Sequence, residues 1–201
     1  MSPRTAHETV TSDDVLDQAM ALLHEGGAGD LSMRRLATAL GVSTQVVYSR
    51  VGGKPEVIRA LHDRAFRELA SRADDATAEA GTRAHVHEVA QYYFDHAAED
   101  PVRFELMFGT PVPEFQRDGD AHTIEVECFR GTWIASVREF LDAEAPDREG
   151  PTAVRLAWRL WTAVHGITTV HLAGHSSPDD APEAELHAIV DLLLDATIST
   201  D

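Results

Sequence analysis

Five basic side chains, Arg34, Arg35, Arg50, Lys54 and Arg59, stand within residues 31–60 against a single acid, Glu56. A patch with that surplus can neutralise the phosphates of a polyanion. Lys54 is the only lysine in 201 residues. The rest of the chain opposes such contact. Net charge is −17, and residues 65–201 hold ten basic and twenty-six acidic side chains. An acidic bulk repels nucleic acid, so any such contact is confined to the one patch. The asymmetry points to two jobs on one chain.

Other chemistry finds little support. Eleven histidines invite a metal. In HVHE, however, His85 and His87 are two apart and point to different faces of a helix. Neither His-Glu-x-x-His nor Glu-x-x-His occurs, which removes zinc-protease and di-iron bundle chemistry. No Gly-x-Ser-x-Gly elbow or phosphate loop is present. His96, Glu99 and Asp100 read as a solvated helix end. Cys128, the only cysteine, reads as a small core residue, and no disulfide or cysteine metal pair can form. The expectation is no enzyme, no metal and no cofactor. A polar, acidic start without an apolar block does not read as a secretory signal. The stretch Leu160–Ala173 is broken by Thr162, His165, Thr168, Thr169 and His171, too short and polar to span a bilayer. A reducing cytoplasm and no membrane are expected.

The elements that must position the basic patch read as helices throughout. Alternating Val/Ile/Thr runs and Asn-Gly or Asp-Gly hairpin signals are absent. Ser12 caps a helix carrying Val15, Leu16, Ala19 and Leu23 on one side, stopped by Gly26 and Gly27. Ser32 caps MRRLATAL up to Gly41, and Ser43 caps a helix to about Ser49. After Gly52 and Gly53, Pro55 opens a long helix to about Ala80. Helices follow at 82–99, 101–108, about 121–143, 152–173 and 182–198. Loops separate them at TPVPEF and GHSSPDDAP. The fold class is all-α with nine helices, divided into residues 1–60 and 61–201.

Within SMRRLATALGVSTQVVYSR, Leu36, Ala37 and Leu40 share one face of the first helix. Gly41 permits the positive φ of a tight turn, and Val42 is tucked into it. Val46 and Val47 turn inward on the second helix. This is a helix-turn-helix, whose second helix can enter a major groove. LSMRRLATALGVSTQVVYSRVGGK resembles the signature of TetR-family transcriptional regulators. The matching residues are Ser32, Leu36-Ala37, Gly41-Val42-Ser43, Tyr48 and Lys54. The resemblance covers about residues 10–60, and the nine-helix order extends it along the chain.

The resemblance implies that residues 43–49 form the recognition helix, with Thr44, Gln45, Tyr48 and Ser49 toward DNA. Gln45 would pair with adenine and Thr44 would meet a thymine methyl or a phosphate. Tyr48 would bond a phosphate, as would Lys54 at the start of the next helix, with Arg34 and Arg35 flanking the duplex. Two positions depart from the family pattern. Val51 replaces a common aromatic and loosens the packing there. Arg50 adds charge where relatives often carry an aromatic or histidine.

The acidic region carries a helix with two apolar stripes. One holds Val154, Trp158, Trp161, His165, Thr168 and Leu172; beside it run Ala153, Ala157, Leu160, Val164, Ile167 and His171. A two-layer packing needs one stripe. The second suggests a two-fold dimer, with Val154, Trp158, Leu186, Val190 and Leu193 at the interface. Trp161-Thr162 with His165-Gly166 resembles the Trp-Ala-x-x-His-Gly signature of one TetR branch, the WHG type. PVRFELMFG is similar to a Met- and Phe-rich helix of the same branch. The family arrangement implies a pocket lined by Phe104, Met107, Phe108, Phe129, Trp133, Trp161 and His165. Its expected ligand is a small apolar or aromatic molecule. The function this implies is a DNA-binding homodimer, a repressor released from its operator by that ligand. The alternative is a TetR-like protein that acts through a protein partner and binds its operator weakly or not at all.

Overall fold

The computed structural model describes residues 10–109, 119–147, 150–175 and 181–199. Every element among them is helical. The order is α1 (Ser12–Gly26), a 3-10 turn (Gly27–Gly29), α2 (Met33–Ala39), α3 (Thr44–Val51), α4 (Lys54–Asp74), α5 (Arg83–Glu99) and α6 (Pro101–Phe108). Then come α7 (Gly119–Phe129), a π-helical segment (Arg130–Ile134), α8 (Ala135–Glu144), α9 (Gly150–Leu172) and α10 (Pro182–Ser199). The segment α7–π–α8 is continuous, so the described residues form nine helical rods. None is long and apolar enough to cross a membrane. The loop TPVPEF and most of GHSSPDDAP lie outside the described residues.

The chain divides into two compact units. One takes residues up to 65 with 102–122, the other 66–101 with 123–201. The first boundary falls inside α4, and the first unit also includes most of α6. A two-segment division of the sequence has no place for that insertion.

In the first unit, Val15, Leu16, Ala19, Leu22 and Leu23 of α1 pack with Leu36, Ala37, Val47, Val57, Ile58, Leu61 and Leu106. Each large side chain buried there contributes about 1.5–3 kcal/mol against chain entropy. The cap of α1 is Thr11, not Ser12. The Thr11 hydroxyl accepts from the Asp14 N–H at 3.1 Å, and the Asp14 carboxylate accepts from the Thr11 N–H at 2.7 Å. This reciprocal pair holds the Asp14 carboxyl below its ordinary range, the Thr11 backbone bond foremost. Ser12 becomes the first helical residue, and its hydroxyl is used elsewhere.

In the second unit, α9 buries Ala153, Leu156, Ala157, Leu160, Val164 and Thr168. They meet Val86, Val89, Ala90, Tyr93 and Phe94 of α5, Val137, Phe140 and Leu141 of α8, and Leu186, Val190 and Leu194 of α10. Buried Thr168 donates its hydroxyl back to the Val164 carbonyl at 2.8 Å. α4 stops at Asp74, short of the expected Ala80. The Glu88 carboxylate draws the following chain into a turn by accepting from the Thr77 and Ala78 N–H groups at 2.8 and 2.9 Å. His96 is buried, not solvated, because α5 turns it toward the core with Phe94 and Ala97.

Two helices of this unit are tied by charge. Arg83 of α5 donates to Asp191 at 2.8 Å and to Asp195 at 2.5 Å on α10. His87 Nε2 lies 2.9 Å from the same Asp191 oxygen. The Arg83 hydrogen bond, then that of His87, holds the Asp191 carboxyl below its ordinary range.

Candidate nucleic-acid interface and ligand site

The turn between α2 and α3 is built from its carbonyls. After Leu40 the chain enters Gly41 at φ +66°. There the Gly41 N–H reaches the Thr38 carbonyl at 3.2 Å and the Val42 N–H reaches the Ala37 carbonyl at 3.0 Å. This paired closure satisfies the last carbonyls of α2 and folds Val42 against the core. Ser43 then starts α3 through its carbonyl, which accepts from Val46 and Val47 at 3.0 and 3.4 Å. Its hydroxyl makes no capping bond, unlike that of Ser32, which accepts from the Arg35 N–H at 3.2 Å.

Helix α3 has one buried side chain, Val47, which pins it to the core. Thr44, Gln45, Tyr48 and Ser49 are all exposed. At spacings of four, Thr44 with Tyr48 and Gln45 with Ser49 form adjacent outward rows. The four residues expected to face DNA are therefore brought together. Tyr48 is 52% exposed, which sets aside a core role for its ring. Ser49 donates its hydroxyl to the Val46 carbonyl at 2.8 Å and keeps only acceptor capacity outward. Arg50 is exposed at the end of the helix, and Val51 packs partly against the core.

The flanking cations are not equivalent. Arg35 pairs with Asp30 at 2.5 Å and with Glu25 at 3.7 Å, so its charge is already engaged. Arg34 is exposed on α2 and lines an open groove of about 370 Å³ with Gln18, Leu22 and Thr38. Lys54, the first residue of α4, is half-buried, and its ammonium donates to the Ala28 carbonyl at 3.2 Å. Sequence reasoning missed that bond, along with the Ser12 hydroxyl that donates to the Arg50 carbonyl at 3.1 Å. Thr11-x-x-Asp14 was the signal that freed Ser12 from capping.

The second unit carries a run of aromatic rings. Phe129 packs on Trp158 at 4.6 Å, Trp158 on Trp161 at 5.2 Å, and Trp161 stacks on His165 at 5.2 Å. Tyr93 Oη lies 2.7 Å from His165 Nδ1, and the Tyr93 ring meets the edge of Trp133 at 5.9 Å. The run passes from half-exposed Trp158 to buried Trp133. The π-helical segment, whose wider turns are enriched at functional sites, lies between Phe129 and Ala135 and carries Trp133.

Burial pushes the Tyr93 phenol well above its ordinary range and pulls the His165 imidazole below its own. Burial favours the neutral imidazole, whose Nδ1 shares a hydrogen bond with the phenol. Burial raises the Cys128 thiol to about 12, so it packs as an apolar group. No group of three metal-ligating side chains occurs among the described residues.

The expected ligand contacts divide between the units. Phe104, Met107 and Phe108 lie on α6 in the first, where Phe104 and Phe108 pack at 4.9 Å. Phe129, Trp133, Trp161 and His165 lie in the second. The expected dimer residues divide too. Val154 and Trp158 are exposed on α9, and Leu193 is partly exposed. Leu186 and Val190 are fully buried, a correction to their expected place at an interface. With Leu194 they form the row of α10 that packs inward on α9 and α5. The exposed leucine of α10 is Leu192, at 61%.

Comparison with known proteins bears on what this arrangement serves. Residues 15–61 match the family described as bacterial regulatory proteins, tetR family. Residues 86–196, more than half of the chain, match the tetracyclin repressor-like C-terminal domain. The chain belongs to the TetR family. Residues 15–61 are thus the N-terminal helix-turn-helix domain of that family. An HTH-type transcriptional regulator of Mycobacterium tuberculosis is 32% identical over 120 residues, 58% of this chain and 51% of that protein. An HTH-type transcriptional repressor of Streptomyces coeruleorubidus is 38% identical over 66 residues, 33% of this chain and 24% of that protein. The aligned part of this TetR-family chain spans about half the length of the Mycobacterium relative and less of the other. Among solved structures, a regulatory protein, SCO4313, superposes with a TM-score of 0.77 at 25% identity, covering 96% of this chain and 99% of that one. A Rhodococcus sp. RHA1 protein of unknown function shares the fold at a TM-score of 0.80 and 20% identity, covering 96% and 98%.

Proposed function

We propose that this regulator represses transcription as a homodimer and leaves its operator when a small, mostly apolar or aromatic molecule binds the ligand-binding domain. The observation that carries the DNA half is the outward face of α3. Thr44, Gln45, Tyr48 and Ser49 are exposed opposite buried Val47. Gln45 offers a two-point match to adenine, and Thr44 a methyl for thymine. Tyr48 and Arg34 supply phosphate contacts. Val154, Trp158 and Leu193 supply the apolar contacts of the dimer, with Leu192 beside them. Two copies would read half-sites about 34–36 Å apart.

The aromatic run supports the ligand half. Flat rings with a neutral histidine among them suit an uncharged, planar molecule better than an ion. Ligand can release DNA only by binding more tightly to the conformation that spaces the recognition helices wrongly.

The test is fluorescence anisotropy of full-length protein on duplex from its own upstream region, over a series of salt concentrations, with Tyr48→Ala alongside. Binding that weakens with salt and is lost in the variant supports the reading. A ligand library is then screened for release of the bound duplex. Equal affinity of wild type and Tyr48→Ala would reject the assignment of α3. Release by no compound, with DNA binding intact, would reject the ligand half alone.

A further inference from the structure

Helix α9 carries a row that its own subunit leaves uncovered. Val154, Trp158, Thr162, Gly166 and Val170 follow one another at a spacing of four, and all are exposed. Trp158 stands half exposed although its ring packs on Phe129 and Trp161. The row is apolar in what it presents. Thr162 donates its hydroxyl back to the Trp158 carbonyl at 2.7 Å, and beside the row Thr169 donates to the His165 carbonyl at 2.8 Å. Residues at this spacing form a ridge, and such ridges interlock where two helices cross. Gly166 is the unexplained member. Inside a helix, glycine is less stable than alanine. Its φ is not left-handed, and a Cβ added there meets nothing within 4 Å. Among the described residues, neither backbone nor neighbours require a glycine at that position, which leaves a surface outside the subunit as the reason.

The row is also symmetric about Thr162. Trp158 and Gly166 lie one step to either side of it, about 6 Å along the helix axis. Val154 and Val170 lie two steps to either side. If two copies cross antiparallel with a two-fold axis at Thr162, the largest side chain of the row meets the position that has none, and valine faces valine. A two-fold contact requires a surface that matches itself in this way. Charge favours the same occupant. Helix α9 holds Arg155 and Arg159 and no acid, whereas α10 holds Glu183, Glu185, Asp191 and Asp195 and no lysine or arginine. Arg155, Arg159, Glu183 and Glu185 are exposed, so a second copy of this helix pair offers opposite charge to each. We propose that Gly166 is the seat for Trp158 of the partner subunit, in an antiparallel α9–α9 crossing whose two-fold axis passes Thr162. The inference rests on the homodimer reading given above and names the contact that sets its register. Gly166 has no area to bury, so its part is shape: it opens the space into which an indole fits.

The test uses full-length wild type, Gly166→Ala, Gly166→Phe, Trp158→Ala and the double variant Trp158→Ala/Gly166→Phe. Sedimentation equilibrium gives the dimer Kd, and circular dichroism gives helical content. Gly166→Ala should keep its helical content, because the subunit has room for the methyl group, yet its dimer Kd should rise about tenfold from overpacking of the seat. Gly166→Phe should raise Kd by about a hundredfold or more. Its tryptophan emission should move to longer wavelength than that of wild type, as the indole of Trp158 meets water. In the Trp158→Ala background the same phenylalanine should change Kd by less than about threefold and leave the emission in place, because the side chain it displaces is gone. Should the phenylalanine variant lose helix, the alanine variant decides. A dimeric wild type whose Kd is unmoved by Gly166→Ala overturns the seat and leaves the homodimer reading standing. An equal loss from Gly166→Phe with and without Trp158 overturns the pairing of the two residues. A wild type that sediments as a monomer throughout overturns the seat together with the homodimer reading.

Discussion

Gly41 offers a clean test of how the helix-turn-helix is held, because its φ of +66° is left-handed and a Cβ added there meets nothing within 4 Å. Substitution should therefore cost backbone strain alone, without a steric clash. For an ordinary L residue that strain is about 1–2 kcal/mol. Asparagine tolerates the left-handed region better, and a β-branched residue tolerates it least. The series Gly41→Asn, Gly41→Ala, Gly41→Val should lose stability in that order. In a protein of this size, 1 kcal/mol lowers Tm by about 2–4 °C. Gly41→Ala should therefore melt roughly 2–8 °C below wild type, Gly41→Asn less far below and Gly41→Val further. The Val42 and Ala37 bond depends on the same conformation, so relieving the strain by opening the turn would swing α3. Operator affinity should then fall more than the stability loss alone explains. Thermal unfolding followed by far-ultraviolet circular dichroism, with anisotropy beside it, measures both. Equal melting of all four proteins, or a valine variant more stable than the asparagine variant, would refute the strain argument.

Three further outcomes follow from the second unit. Arg83 keeps the Asp191 carboxyl ionised below its usual range, so its contribution is present above the unfolded carboxylate pKa and is lost as pH falls through the lowered folded value. The pair is half-exposed, so Arg83→Met should cost about 0.5–1 kcal/mol near neutral pH and progressively less in acid, read by urea unfolding at several pH values. Cys128, with its thiol raised to about 12, should resist a thiol reagent at pH 8 in the folded protein and react once denatured. Glu88→Gln should speed amide exchange at Thr77 and Ala78, whose N–H groups its carboxylate accepts, while exchange in α9 stays unchanged.

The parts of this molecule set by neighbours in sequence were legible. Gly41, Val42 and the alternation of Val47 with exposed Thr44, Gln45 and Tyr48 announce a turn and an outward face within ten residues. What needed partners far along the chain was not legible. The hydroxyl of Ser12 looks like a cap until Thr11 takes that position. The end of α4 depends on Glu88, which lies more than a turn into the next helix. Leu186 and Val190 belong to a wide apolar arc on α10, and periodicity alone does not say which part of that arc meets α9. The wider turn at Arg130–Ile134 leaves no mark in hydrophobic spacing, because a single inserted residue only rotates the pattern. Lys54 stands out in the sequence by its charge, whereas its placement against Ala28 depends on how the corner after α1 folds back.

Sequence-specific reading of DNA by α3 is best tested by selecting genomic fragments bound to the purified protein and footprinting the winner, with Gln45→Ala run in parallel. A site with two protected half-sites one helical turn apart should be enriched, and the variant should change its base preference at the adenine assigned to Gln45. Fragments recovered at their input frequencies, or an identical preference in wild type and Gln45→Ala, would contradict it.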